Sequence, residues 1–113
     1  MKKIIVQRVY DKDVQGYRVL VDRLWPRGIK KEEVKFEEWN KDITPSNNLR
    51  KDYHDGKISY EDFSRAYEEE LDKASELKDF VDRVKDKDLV LLTSVKDVDH
   101  SHIPVLINKI EEL

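Results

Sequence analysis

Cysteine is absent from the sequence. Its absence excludes disulfides, thiolate nucleophiles and thiolate-ligated zinc or iron–sulfur centres, and it suits the reducing cytoplasm, the compartment expected for this chain. Glycine and proline are scarce, at three residues each, and no low-complexity segment or internal repeat interrupts the chain, so the composition is that of a folded domain. Long apolar runs are missing as well. The opening MKKIIVQRVY holds only the short aliphatic run Ile4–Val6, far below the roughly 18 residues of a membrane span, and no membrane partner is expected. Neither a GxGxxG turn nor a P-loop is present, so the sequence implies no nucleotide cofactor, and no cofactor of another kind is called for.

Charge is what the chain has in abundance. Charged residues make up 42% of its 113 positions, against about 25% in an average globular protein. The net charge of −3 hides a polarity: residues 1–57 carry 14 basic and 10 acidic side chains, whereas 58–113 carry 8 and 15. Five of the seven arginines, Arg8, Arg18, Arg23, Arg27 and Arg50, lie in the basic half. Arginine suits bidentate contact with phosphate or carboxylate, so a small anionic ligand is the expected partner; the competing reading is that these side chains pair with surface acids. A pI of 5.7 disfavours broad duplex binding. The length allows one domain, as a monomer or a small homo-oligomer.

Lys3–Val9 and Tyr17–Asp22 are short β-branched and aromatic runs between polar turns and read as strands. Residues 88–95, DLVLLTSV, form a nearly continuous apolar run, which predicts a central strand covered on both faces. Ser46, after Pro45, can cap a short helix through Tyr53, with Gly56 as its left-handed stop. Ser59 and Asp62 have capping-box spacing, and Phe63, Ala66, Tyr67 and Leu71 follow at helical intervals. Leu77, Phe80, Val81 and Val84 continue that stripe, in one long helix or in two divided near 74–76. At the end, Ile103, Leu106, Ile107 and Ile110 define a last helix with Pro104 in its first turn and Ser101 as N-cap. The order predicts an α/β fold, a small mostly parallel sheet covered by amphipathic helices in a single compact domain over residues 1–113. In such sheets ligands bind outside the carboxyl ends of the strands, which directs attention to the segments after Val9, Asp22 and Val95.

Two constellations occupy those segments. The first is Asp22-Arg23-Leu24-Trp25-Pro26-Arg27-Gly28, where Pro26 restricts Trp25 and Gly28 permits positive φ, so the loop can aim Arg23 and Arg27 at an anion. Trp25 offers a stacking face, although core packing is the commoner use of tryptophan; Trp39 is read as core. Arg50, with the helix start at Ser46, can add to the clamp. The second is Asp97-Val98-Asp99-His100-Ser101-His102. His100 and His102 could transfer protons with Asp22 or Asp99, could bind a metal if a third ligand approached, or could simply flank a helix cap formed by Asp99 and Ser101. No metal is assigned. His54, at a helix end, is a secondary candidate.

The segments GYRVLVDRLWPRG (16–28), Trp39-x-Lys41-Asp42, Pro45-Ser46-x-x-Leu49-Arg50, Phe63-x-x-x-Tyr67-x-x-x-Leu71 and Asp99-His100-x-His102 together resemble the domain-of-unknown-function family numbered 488, in its YeaO-like branch. The resemblance runs nearly the full length and departs at Ser101 and Ile103, where the family usually has Asn and Ala. It implies a small cytoplasmic bacterial or archaeal α/β protein and brings no assigned reaction. A transcription-regulator label found among relatives is discounted, because no recognition helix is readable. Two functions follow from the residues. One is an enzyme acting on a small phosphorylated or nucleotide-like substrate, held by Arg23, Arg27 and Arg50 with Ser46 and Trp25, and worked on by His100, His102, Asp22 and Asp99. The alternative is a non-catalytic regulatory module that binds a small ligand, or single-stranded nucleic acid stacked on Trp25. A third reading, acidic helices at 60–87 docking on a partner, ranks last because their apolar stripe is accounted for as core.

Overall fold

The computed structural model describes residues 3–11 and 15–113. Four strands, β1 (Lys3–Arg8), β2 (Tyr17–Leu20), β3 (Glu38–Trp39) and β4 (Asp88–Thr93), form one sheet in the order β1-β4-β2-β3. Every pairing is parallel, with Ile4 opposite Leu89 and Val19 opposite Leu91. The apolar run in β4 is therefore central, and all of it except Asp88 is buried. The four helices are α1 (Asn47–His54), α2 (Tyr60–Lys73), α3 (Glu76–Val84) and α4 (His102–Glu112). The long stripe is two helices, because Ala74 adopts an extended conformation that ends α2.

Alternation along the strands divides the interior into two clusters. Val19, Val21, Leu89 and Leu91 face the helices and pack with Phe63, Tyr67, Phe80 and Leu106. Leu20, Val90 and Leu92 face the other way, against Val34 with Trp25, Ile29, Phe36 and Trp39. Helices thus cover one face, and the irregular segment between β2 and β3 closes the other. Each fully buried large side chain such as Phe80 contributes on the order of 1.5–3 kcal/mol. β3, at two residues, is too short to show any periodicity and was not expected from the sequence. The strands end earlier than their apolar runs: β2 stops at Leu20 and β4 at Thr93, because Asp22 and Ser94 turn toward each other beyond the sheet.

Parallel pairing has one consequence for function. All carboxyl ends lie along one edge, so the residues after β2 and β4 meet there although they are far apart in sequence.

Candidate functional site

The carboxyl edge is organised by Asp22. Its Oδ1 accepts from Thr93 Oγ1 at 2.7 Å, and its Oδ2 accepts from Ser94 N–H at 2.7 Å and Ser94 Oγ at 2.8 Å. His102, the first residue of α4, places Nε2 3.5 Å from Asp22 Oδ1 and 2.6 Å from the Val21 carbonyl. A carbonyl only accepts, so Nε2 carries the proton. Both side chains are about nine-tenths buried, at 10% exposure each. Burial pushes the Asp22 carboxyl up, but donors from His102 and Thr93 and the Ser94 amide together outweigh it, holding the group below its ordinary value. The carboxylate is ionised, and protein donors meet both its oxygens.

Around this hub the expected residues take separate stations. Arg23 Nε donates to the Pro45 carbonyl at 2.8 Å, which ties the loop after β2 to the start of α1. Ser46 caps α1 by accepting from Leu49 N–H, while its own N–H and hydroxyl donate to the Glu70 carboxylate of α2 at 2.9 and 2.6 Å. An anion of the chain itself therefore sits on that backbone amide. Tyr67, fully buried, donates to the Ile43 carbonyl; burial pushes its phenol up, aided by the Glu70 charge and opposed by Arg23. Trp25 packs edge-on against Trp39, with centroids 5.4 Å apart, and its indole donates to the Ile29 carbonyl. Trp39 is held likewise by the Asp22 carbonyl. Gly28 has φ 76° as the loop reading required, and Arg27 is exposed beside it.

The two histidines of the second constellation diverge. Val98–His100 form a 3-10 turn, and His102 is buried while His100 stays 65% exposed with Nδ1 2.9 Å from Asp97 Oδ2. Among the described residues, no three His, Cys, Asp or Glu side chains are arranged to hold a metal ion. Ser101 alone caps α4, accepting from Ile103 N–H at 3.1 Å; Asp99 is exposed on the turn. His54 is exposed at the end of α1.

Arg50 has a different status. Ser46, Arg50 and Tyr53, spaced by four and three, share one face of α1. Ser46 on that face reaches α2 through Glu70, and Tyr53 reaches the 3-10 turn by donating to the His100 carbonyl at 2.7 Å. Arg50 stands between those two anchors, and its Nε is buried with no hydrogen-bond partner.

Several site residues carry no sequence signal of their own. Tyr53 and Tyr60 clamp the carbonyls of His100 and Ser101, each at 2.7 Å, and so aim α4. Burial and the nearby carboxylates of Asp97 and Asp99 push the Tyr60 phenol up, with Ser64 opposing. Both tyrosines read as helix-face aromatics. Thr93-Ser94 did leave a trace, two hydroxyls closing an apolar strand. Glu70 left none, being one acid among many on α2.

A buried cluster of arginine, histidine and aspartate at the carboxyl edge of a parallel sheet is thus a charged site of the α/β class. Residues 3–113 match the family described as the inactive DUF488-N3 subclade, and the chain belongs to that family, in keeping with the YeaO-like motifs. It is similar to the uncharacterized protein YeaO of Escherichia coli K12, at 44% identity over 110 residues that cover 95% of this chain and 96% of YeaO. It is also similar to the uncharacterized proteins Rv3073c of Mycobacterium tuberculosis H37Rv and Mb3100c of Mycobacterium bovis, at 36% identity over 107 residues, 92% of this chain and 90% of theirs. No solved structure matches the chain. No helix among the described residues is long and apolar enough to cross a membrane.

Proposed function

We propose that the carboxyl edge is a non-catalytic binding site for a small oxyanion-bearing ligand, with Arg50 as its anchor and Arg23 and Arg27 on its rim. The observation that carries this reading is the buried, unpartnered Nε of Arg50, between Ser46 and Tyr53 on the face of α1. A buried donor without a partner costs roughly 1–3 kcal/mol, and a guanidinium recovers that cost by pairing with phosphate or carboxylate. The chemistry of the hub supports binding over turnover. Asp22 accepts three hydrogen bonds, and His102 Nε2 is committed to the Val21 carbonyl, so neither has the freedom of a general base. The family description, an inactive subclade, agrees with that reading.

The test is titration of the protein with inorganic phosphate and a simple phosphate monoester, read by calorimetry and melting temperature. A saturable site at one-hundredfold excess over Kd stabilises by about 2.7 kcal/mol, a rise of about 10 °C for a domain this size. Arg50→Ala should abolish the rise, and Arg65→Ala should keep it, since Arg65 is 73% exposed and pairs with Asp62. Equal responses from both variants would refute the proposal. A second reading draws on the exposed His100–Asp97 pair, whose 2.9 Å contact orients an imidazole open to solvent. It requires that a bound phosphate ester be recovered chemically changed, and that His100→Ala leave it intact.

A further inference from the structure

We propose that the outer edge of β1, with the groove beside it, is the interface for a second copy of this chain. The two edges of the sheet are built differently. The β3 edge is two residues long, and its Glu38 is fastened by Arg83 in a two-bond pair at 2.9 and 3.0 Å, by Tyr17 and by Asn40. That is a blunted edge. β1 is six residues long and, among the described residues, has a neighbouring strand on one side only. Its centre is Ile4-Ile5-Val6, three consecutive aliphatic side chains, each left partly exposed. No proline or inward-pointing charge protects it. Arg8, at its end, turns its guanidinium back onto the carbonyls of Val95 and Ser94. An apolar edge whose exposed lysine, Lys3, stands only at its first position is a template for another strand.

A groove of about 620 Å³ continues from this edge. Ile4, Val81, Ile107 and Leu113 supply its apolar lining, and Leu113 is 62% exposed. Its charged lining carries both signs, with Lys3, Lys78 and Lys85 alongside Asp82 and Glu111. A surface of mixed sign beside an apolar strand is self-complementary, which a two-fold interface demands because each patch meets itself. A partner of one charge would be repelled by half of the groove. Antiparallel pairing of two β1 strands about Ile5 sets Ile4 opposite Val6 and Lys3 opposite Gln7. The sheet then runs on through both copies. The carboxyl-edge site is not part of this interface, so the two proposals stand or fall separately.

The experiment is sedimentation equilibrium of the full chain over a wide concentration range, with amide hydrogen exchange on the same samples. The expected result is a species of twice the 13.5 kDa chain mass at high concentration, with β1 amides that slow as the dimer forms and β3 amides that do not. Leu113→Asp, a change at an exposed position, should raise the dimer dissociation constant about tenfold, or 1.4 kcal/mol, without lowering the melting temperature of the monomer. A chain that stays monomeric at every concentration overturns the proposal. So does a dimer whose β1 amides exchange as they do in the monomer, or one indifferent to Leu113→Asp.

Discussion

Asp22 and His102 lie 3.5 Å apart at the carboxyl edge of the sheet, one just beyond the end of β2 and the other opening α4. The aspartate also holds Thr93 and Ser94, so one carboxylate joins β2, β4 and α4. Asp22→Ala would leave the Thr93 hydroxyl and the Ser94 amide without their acceptor. It should cost about 2–6 kcal/mol, at roughly 1–3 kcal/mol for each orphaned buried group. Urea denaturation measures this directly; a loss within about 0.5 kcal/mol, as for an ordinary surface change, would contradict the hub.

Acid should act through the same residue. The Asp22 carboxyl is held below its ordinary value of 3.8 by His102, Thr93 and Ser94 against the opposing effect of burial. Arg83, opposed by burial and aided by Tyr17, holds Glu38 below 4.5. A folded-state pKa lower than the unfolded one contributes stability that is complete above the unfolded value and lost as pH falls through the folded value. The urea midpoint should therefore drop below about pH 4, and Asp22→Asn should make that drop shallower. Identical pH profiles for the two proteins would remove Asp22 from the account.

The Glu38–Arg83 pair and the Arg65–Asp62 pair offer an internal contrast. Glu38 is 17% exposed and meets both terminal nitrogens of Arg83, whereas Arg65 and Asp62 are 73% and 62% exposed and meet at 3.3 Å. Double-mutant cycles should give a coupling of about 1 kcal/mol for the first and about 0.3 kcal/mol or less for the second. Equal couplings would show that the geometry at Glu38 adds nothing.

Of the three glycines, Gly16 should be the least replaceable. It has φ 146°, and a Cβ there would fall 2.9 Å from the Asp88 carbonyl oxygen and 2.9 Å from Val90 Cγ2, both in the central strand. Gly28 and Gly56 have φ 76° and 75° but open space around them. Alanine should cost about 1 kcal/mol at Gly28 or Gly56 from backbone strain alone, and more than about 2 kcal/mol at Gly16, where strain and overpacking add. Melting temperatures of the three variants would order them, and a Gly16→Ala protein as stable as the other two would contradict the close approach.

Elements whose physics is local were legible in the chain. The run 88–95 reads as a strand covered on both faces, which holds as far as Thr93, and the stripe from Phe63 to Val84 reads as helix, because apolar spacing specifies the buried face before any neighbour is known. Ser46, Ser59 and Ser101 likewise announced their helices, since a cap needs nothing beyond the next turn. The same reasoning directed attention to the carboxyl edge and singled out Asp22, Arg50 and His102 among its candidates. Tertiary structure decided which of these groups meet and which are spoken for. His100 and His102 are two residues apart and indistinguishable in the chain, yet a 3-10 turn sends one to solvent and the other to the Val21 carbonyl. Glu70, one acid among many on α2, is the group that meets the Ser46 amide, and Arg50 keeps a buried donor with no partner among the described residues. A hydrogen bond between residues tens of positions apart depends on how helices dock on the sheet, and no short window of sequence encodes that docking.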